Sequence, residues 1–183
     1  MRKSENKKKG FVIWFTGLPC SGKTTISKGL ESELKGRHQL PVQHLDGDSV
    51  RSVFPSIGFT EEDRNRHVQQ MGFLSSMLSE NGVNCVASFV SPFSESRDFC
   101  KSICDQFIEV HVSTPLEECE KRDVKGLYKQ ARDGKLLNFT GVNHPYEEPV
   151  DPSLRIDTSN KEPAQSVAEV LDYLKKEGHI DQP

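Results

Sequence analysis

The sequence has no long hydrophobic run. Its longest strongly apolar stretch, residues 11–15 of 183, is too short to cross a membrane or to form the core of a signal peptide. This absence argues against an integral membrane protein, and we expect the chain in the cytoplasm with no membrane partner. The composition, 34% hydrophobic and 28% charged, also excludes a chain that is disordered throughout.

Paired cysteines and an excess of basic charge are also lacking. The five cysteines are an odd number at irregular spacing and include no C-x-x-C pair, so we expect neither a disulfide framework nor a zinc site. The 24 Lys and Arg residues against 27 Asp and Glu give a net charge of −3, which argues against a general nucleic-acid-binding protein. Any anionic ligand must therefore be held by local charges.

Apolar, β-rich runs alternate with helical patterns along the chain. Strands are predicted at residues 11–16, 42–45, 83–90, 107–112 and 154–156. Helices are predicted at residues 23–35, 60–80, 94–104 and 115–121 and from Pro163 onwards, with Thr60 and Asp63 as a capping box. This order predicts an α/β fold, a parallel sheet with helices on both faces. We expect one domain at residues 10–183, after a flexible basic N-terminus at residues 1–9.

The alternation stops between residues 122 and 152. This stretch, the lid segment, is basic at first and holds three glycines and three prolines. Long irregular segments inside compact domains are usually lids or binding loops. We therefore expect a mobile lid over the C-terminal edge of the sheet.

A glycine-rich loop follows the first predicted strand. Gly17-Leu-Pro-Cys-Ser-Gly-Lys-Thr24 matches the phosphate-binding pattern G-x-x-x-x-G-K-[ST], in which backbone amides and a helix N-terminus hold phosphate. Lys23 is expected to reach the β- and γ-phosphates, and Thr24 to offer its hydroxyl to Mg²⁺, with Asp48 as a second candidate ligand. We therefore expect the loop to bind a nucleoside triphosphate with Mg²⁺, and the cofactors of the kinase interpretation given below are ATP and Mg²⁺. The residues predicted to bind ATP are Gly17, Leu18, Pro19, Cys20, Ser21, Gly22, Lys23, Thr24 and Thr25.

The phosphate loop alone does not define the reaction. The chain has no [NT]-K-x-D element of the kind with which GTPases read guanine, and it is short for a motor or helicase core. A compact chain with a basic lid suits a small-molecule or nucleotide kinase, because the lid excludes water and protects ATP from hydrolysis.

Polar residues at the ends of predicted strands mark an acceptor side. Asp46 and Asp48 follow the second predicted strand, at the carboxyl edge of the sheet where ligands gather. We expect Asp48 to face an acceptor hydroxyl and Arg51 an acceptor anion. Arg64 lies in the first turn of a predicted helix, where a cation opposes the helix dipole and suits a nearby anionic ligand. Ser91 ends the third predicted strand, and its hydroxyl is expected to point towards the same crevice.

These residues resemble those of the adenylylsulfate kinases, which phosphorylate the 3′-hydroxyl of adenosine 5′-phosphosulfate (APS) to give PAPS. The resemblance runs from residue 12 to residue 158 and implies a P-loop kinase fold acting in sulfate assimilation. Besides the phosphate loop, the matching pieces are Leu45-Asp-Gly-Asp-Ser-Val-Arg51, Gly58-Phe-Thr-Glu-Glu-Asp-Arg64, Val90-Ser-Pro92, Arg122-Asp-Val-Lys-Gly-Leu-Tyr-Lys-Gln-Ala-Arg132, Asn138-Phe-Thr-Gly-Val142 and Pro145-Tyr-Glu147.

The resemblance implies roles for individual residues. Phe59 and Phe139 match two aromatics that sandwich the adenine of APS, where stacking contributes roughly 1–3 kcal/mol per base. Ser91 matches a serine described in parts of the family as a phosphoserine intermediate, which direct transfer to the acceptor does not need. The implied catalytic residues are Lys23, Asp48 and Ser91. The implied substrate-binding residues are Asp48, Arg51, Phe59, Arg64, His67, Val90, Ser91, Lys125, Asn138 and Phe139.

Several positions on the acceptor side depart from the family pattern. His67 stands where the family usually has Asn, Gln69 and Gln70 stand where two arginines are often found, and the loop at residues 52–58 is one residue shorter than in many members. Two alternatives therefore stay open. One is a kinase of the same family for another nucleotide-linked acceptor, such as a modified cytidine diphosphate, and the other is a nucleotide-binding module without turnover.

The resemblance also implies partners. APS is the expected small-molecule substrate, and no nucleic-acid partner is expected. No sulfurylase domain fits within 183 residues, so a separate ATP sulfurylase is expected to supply APS. The oligomeric state stays open, with a homodimer as one candidate.

Overall fold

Five parallel strands form the central sheet of the computed structural model, which describes residues 8–53 and 58–181. The sheet order is β2-β3-β1-β4-β5, and all four pairings are parallel, which confirms the predicted fold class. The strands are β1 (Val12–Thr16), β2 (Val42–Asp46), β3 (Asn84–Ser88), β4 (Phe107–Val112) and β5 (Leu154–Ile156).

Helices cover both faces of the sheet. In the described residues they are α1 (Lys23–Gly36), α2 (Gly47–Val53), α3 (Glu61–Glu80), α4 (Ser94–Ile103), α5 (Leu116–Arg122), α6 (Leu127–Arg132) and α7 (Pro163–Lys176). Because side chains alternate along a strand, Ile13 and Phe15 of β1 pack with α1 and α7, whereas Val12 and Trp14 pack on the side of α3 and α4. β1 is fully buried in the middle of the sheet and carries the phosphate loop at its end.

The structure differs from the sequence prediction at three elements. Helix α2 follows β2 directly, because the carboxylate of Asp46 accepts the amides of Asp48 and Ser49 at its first turn. Strand β3 ends at Ser88 rather than at residue 90, since the chain then leaves the sheet and reaches a φ of 39° at Ser91. The lid segment, predicted to be irregular, contains the end of α5 and all of α6.

Two predicted features lie partly or wholly outside the described residues. Of the basic N-terminus, residues 1–7 fall outside, and Lys9 forms an ion pair with Asp105. Of the loop expected to be one residue shorter, residues 54–57 fall outside. The predicted capping box is confirmed: the Thr60 hydroxyl accepts the Asp63 amide at 3.1 Å, and the Asp63 carboxylate accepts the Thr60 amide.

Candidate active site

The phosphate loop joins β1 to α1 in a backbone conformation that suits glycine. Gly17 and Gly22 have φ values of 149° and 103°, in the left-handed region. A Cβ atom on Gly17 would lie 2.5 Å from the carbonyl oxygen of Val112, so no other residue fits there without a backbone shift. Cys20 also has a positive φ, of 60°, which is uncommon for a residue with a side chain. The loop leads into the N-terminus of α1, a favourable place for phosphate.

Lys23, in the first turn of α1, is buried within this loop. Its ammonium group donates to the carbonyl oxygen of Leu18 at 2.6 Å and to the hydroxyl of Ser21 at 3.4 Å. Burial lowers the pKa of Lys23 from 10.5 to about 8. Lys23 is therefore still mostly protonated at neutral pH, and its charge lies inside the loop.

Thr24 is linked to the carboxyl end of β2. Its hydroxyl donates to the carboxylate of Asp46 at 2.9 Å, and Asp46 pairs in register with Ser88 of β3. The Ser88 hydroxyl is buried and has no hydrogen-bond partner among the described residues. Asp48, the predicted second Mg²⁺ ligand, instead forms an exposed ion pair with Lys125 at 2.5 Å. The acidic group beside Thr24 is thus Asp46, because Asp48 lies beyond the strand, in the first turn of α2.

Two arginines surround Phe59 at the start of the acceptor side. The guanidinium carbon of Arg51 lies 4.6 Å from the centre of the Phe59 ring, and that of Arg64 lies 5.7 Å away. Both distances are within the range of cation–π attraction. Partial burial desolvates both guanidinium groups near this ring and thereby lowers the pKa of each arginine. Such a site favours an anionic ligand with a flat group.

Phe59 and Phe139 differ in their surroundings. The side chain of Phe59 is 58% exposed, whereas that of Phe139 is only 8% exposed. The Phe139 ring meets the ring of Tyr128 edge to face, with centroids 4.9 Å apart. Asn138 holds a φ of 56°, and its carbonyl accepts a hydrogen bond from Arg64. Phe139 is therefore part of a small core as well as a candidate binding residue.

His67 lies on α3 and is buried next to the acceptor side. Neither ring nitrogen has a hydrogen-bond partner within residues 8–53 and 58–181. The ring meets Phe89 edge to face at 5.6 Å. Burial, with a smaller contribution from the positive charge of Arg51, lowers the pKa of His67 from 6.5 to about 4. The imidazole is therefore neutral at pH 7 and offers one donor and one acceptor.

Ser91 does not present its hydroxyl to the crevice, contrary to the sequence-based expectation. The side chain is 2% exposed, and its oxygen accepts a hydrogen bond from the Trp14 indole at 3.0 Å. Its carbonyl accepts a hydrogen bond from the buried guanidinium of Arg97, and the carbonyl of Val90 accepts one from the Thr16 hydroxyl. The backbone turn after β3 therefore directs the hydroxyl inwards.

A cavity of about 360 Å³ lies beside the phosphate loop. Arg122, Val124, Thr158, Lys161 and Ser166 help to line it, together with residues of the loop and α1. Arg122 is fixed by hydrogen bonds to the side chain and the carbonyl of Thr158. The sequence prediction missed these residues because they come from two stretches far from the loop in sequence, residues 122–124 and 158–166. The polar sequence Asp157-Thr158-Ser159, directly after β5, was the only signal.

A metal ion held by protein side chains alone is not indicated. Within residues 8–53 and 58–181, no three His, Cys, Asp or Glu side chains come together in a way that could hold one. The helices of those residues also include none that is long and apolar enough to span a membrane.

Comparison with known proteins identifies the family. Residues 9–157 match the sequence model of the family described as adenylylsulphate kinase. The chain belongs to the adenylylsulphate kinase family. The adenylyl-sulfate kinase of Halothermothrix orenii is 43% identical over 176 residues, 96% of this chain and 95% of the relative. That of Oceanobacillus iheyensis is 42% identical over 182 residues, 98% and 91% of the two chains.

Solved structures agree with the family. The Mycobacterium tuberculosis APS kinase CysC, determined in complex with AMPPNP and APS, superposes with a TM-score of 0.86 at 32% identity, over 91% of this chain and 98% of that one. The crystal structure of APE1195 has a TM-score of 0.84 at 41% identity, over 92% and 97%. In this adenylylsulphate kinase family member, the predicted residues thus lie on a shared kinase fold.

Proposed function

We propose that the protein transfers the γ-phosphoryl group of ATP to the 3′-hydroxyl of APS, giving PAPS and ADP. The observation that carries this proposal is the position of Asp46. One of its carboxylate oxygens accepts from Thr24 of the phosphate loop, and the other accepts from the first turn of α2, which carries Asp48. A single buried carboxylate therefore connects the phosphoryl donor side with the acceptor side. Its family relatives are adenylyl-sulfate kinases by name.

Three residues of the chain have separate roles in the proposed reaction. The Lys23 ammonium neutralises negative charge on the β- and γ-phosphates, where phosphoryl transfer needs it most. Asp48 accepts the hydrogen bond of the 3′-hydroxyl and orients its oxygen towards the γ-phosphorus. The new bond forms between that oxygen and phosphorus as the bond to the β–γ bridging oxygen breaks, and the hydroxyl proton passes to the Asp48 carboxylate. Lys125, paired with Asp48, adds positive charge at this point.

The residues beside the phosphate loop suit Mg²⁺. The Thr24 hydroxyl, the Asp46 carboxylate and the buried, unpartnered Ser88 hydroxyl are hard oxygen groups at one end of the sheet. We propose that Thr24 and Asp46 would hold the ion. When bound, Mg²⁺ neutralises phosphate charge and fixes the phosphate orientation.

The aromatic and basic residues of the acceptor side suit APS. Phe59 and Phe139 stack on the adenine, while Arg51 and Lys125 take up the phosphosulfate charge and His67 hydrogen-bonds the nucleoside. We take transfer to be direct, because the Ser91 side chain is buried and its oxygen accepts the Trp14 indole N–H instead of facing the crevice. A separate ATP sulfurylase supplies APS, and we place the reaction in the cytoplasm.

A direct assay tests the proposal. The purified protein is given Mg-ATP with APS, and in separate samples with modified cytidine diphosphates or with no acceptor. ADP and phosphorylated product are then quantified by anion-exchange chromatography. We expect equal amounts of ADP and PAPS with APS and little ADP otherwise, and a Lys23→Ala variant that binds APS but does not turn over. Turnover only with another acceptor, or nucleotide binding without turnover, would contradict the proposal.

A further inference from the structure

A small hydrophobic cluster joins the phosphate loop to the lid segment. Leu18 and Cys20 of the loop pack there with residues of α5, α6 and the lid, and Tyr128 and Phe139 form its aromatic part. The contact is close: a Cβ atom on Gly141 would lie 2.9 Å from a methyl carbon of Leu18. We call this group the loop–lid cluster. It lies outside the two cores that hold the helices on the sheet.

Tyr128 is the member of the loop–lid cluster that touches both sides. Its hydroxyl donates to the carbonyl oxygen of Pro19 in the phosphate loop at 2.9 Å. Its ring meets the ring of Phe139 edge to face, with an interplanar angle of 86°. The side chain is only 2% exposed. A single rigid side chain therefore connects a backbone atom of the nucleotide site to a candidate acceptor-binding ring.

We propose that Tyr128 is a positioning residue that couples nucleotide binding at the phosphate loop to acceptor binding at Phe139. The inference rests on the proposed function, because it takes APS as the acceptor. A nucleotide that orders the loop fixes the Pro19 carbonyl, and the hydrogen bond then fixes the Tyr128 ring against which Phe139 packs. By thermodynamic reciprocity, APS bound against Phe139 favours the same arrangement of the loop and tightens nucleotide binding by the same factor.

The loop geometry supports a coupling role over plain core packing. A ring buried only for its apolar area needs no hydroxyl, yet the Tyr128 hydroxyl reaches a backbone carbonyl next to Cys20, which holds the unfavourable φ of 60°. Burial raises the pKa of Tyr128 far above its ordinary value, so the hydroxyl keeps its proton and remains a donor. Cys20 packs in the same cluster and thereby holds the strained part of the loop against it.

The test measures coupling rather than activity. Isothermal titration calorimetry gives the Kd of APS alone and in the presence of a saturating non-hydrolysable ATP analogue, AMPPNP, with Mg²⁺. The ratio of the two values is the coupling factor, which we expect to be about tenfold or more in the wild type. Tyr128→Phe keeps the ring and removes the hydroxyl. Because a neutral hydrogen bond contributes modestly, we expect the coupling factor to fall roughly 3- to 10-fold.

Two variants accompany Tyr128→Phe. Tyr173→Phe, on the distant helix α7 and half-buried against the main core, is the matched control and should leave the coupling factor unchanged. Phe139→Leu breaks the contact on the other side of Tyr128, and we expect it to reduce the factor as well, whatever its effect on APS affinity itself. The melting temperature of each variant is measured alongside.

The outcomes separate the two proposals. A coupling factor near one in the wild type, or an unchanged factor in Tyr128→Phe whatever its melting temperature, would overturn the coupling role and leave Tyr128 as a core residue. Failure of wild-type protein to bind or phosphorylate APS would instead overturn the proposed function. A reduced factor with the melting temperature retained supports the coupling.

Discussion

The guanidinium of Arg64 donates to the backbone carbonyl of Asn138 at 2.5 Å, which connects helix α3 to the lid segment. The same group donates to the carbonyl of Phe59 at 3.0 Å and to the hydroxyl of Thr140 at 3.1 Å. The two residues it holds through their carbonyls are Phe59 itself and the neighbour of Phe139. Arg64 therefore sets the spacing between the two aromatic segments, a role beyond the anion contact expected from the sequence.

Replacing Arg64 with Lys should weaken acceptor binding selectively. Lys keeps the charge but lacks the planar group that makes three separate hydrogen bonds. We expect the KM for APS to rise roughly 5- to 30-fold, which corresponds to about 1–2 kcal/mol, with the KM for ATP within about twofold. Steady-state kinetics measure both. Arg66→Lys, two residues along α3 in an exposed pair with Glu62, is the control and should change neither value. An equal rise in both KM values would contradict the view that Arg64 sets the spacing of the two aromatic segments.

The lowered pKa of Lys23 predicts a pH dependence of ATP use. Burial destabilises the charged form, so Lys23 loses its proton as the pH rises through about 8. Because the ammonium form is the one that stabilises phosphate, we expect kcat/KM for ATP to fall at higher pH, by up to about tenfold per pH unit. The measurement is a kcat/KM profile from pH 7 to pH 9.5. Lys23→Arg, which stays protonated, should lower activity overall and flatten this decline. A decline of the same shape in Lys23→Arg would assign it to another group.

His67 predicts an acid-dependent loss of stability. Its pKa is about 4 in the folded protein and 6.5 ordinarily, so the unfolded chain binds more protons between these values. The free energy of unfolding should therefore decrease as the pH falls from about 6.5 to about 4. In urea unfolding at pH 7.5 and pH 5, we expect His67→Asn to lose about 1–2 kcal/mol less than the wild type.

The matched control for His67 is His38→Asn, in the turn after α1. It should show the same loss of stability between the two pH values as the wild type. His111 has a similarly lowered pKa, of about 4, and contributes in both variants and in the wild type alike. If His67→Asn and the wild type lost equal stability, the imidazole would not be buried in the neutral form.

Phe59 and Phe139 should respond differently to truncation. Phe59 is largely exposed, so Phe59→Ala should leave the melting temperature nearly unchanged and weaken APS binding by about 1–3 kcal/mol. Phe139 is buried against Tyr128, so Phe139→Ala should weaken APS binding and also lower stability, by about 3–5 kcal/mol. Calorimetry for APS and for AMPPNP, with thermal unfolding, separates the effects. A lower melting temperature with unchanged APS affinity in Phe139→Ala would assign that residue to the core alone.

Much of the fold could be predicted from the pattern of apolar residues. The strands at 107–112 and 154–156 have the predicted bounds, since each is a short apolar run between turn signals. Helix α2 was missed because its seven residues have no buried apolar face, and its start depends on the Asp46 carboxylate. Helix α6 was missed because the glycines and basic residues around it are typical of an irregular loop. Its first turn is stabilised by the Asp123 carboxylate, which accepts the backbone amides of Tyr128 and Lys129.

The candidate site was predictable where a motif defines local geometry and less so where tertiary contacts define it. The glycines of the phosphate loop adopt positive φ values that the local sequence itself favours, and the loop lies where its pattern indicates. The direction of the Ser91 hydroxyl depends instead on Trp14, 77 residues away, and the choice between Asp46 and Asp48 depends on the pairing of Asp46 with Thr24. Neither hydrogen bond can be predicted from the residues that neighbour Ser91 or Asp46 in the sequence.

The hydrogen bond between Trp14 and Ser91 gives the protein an optical reporter. Trp14 is the only tryptophan of the chain, and it is buried. Its ring stacks on that of Phe89, the first residue after strand β3. Its emission therefore originates at one point, directly beneath the turn that carries Val90 and Ser91. Any rearrangement of that turn alters the polarity around the indole N–H, so intrinsic fluorescence follows events at the acceptor side without a label.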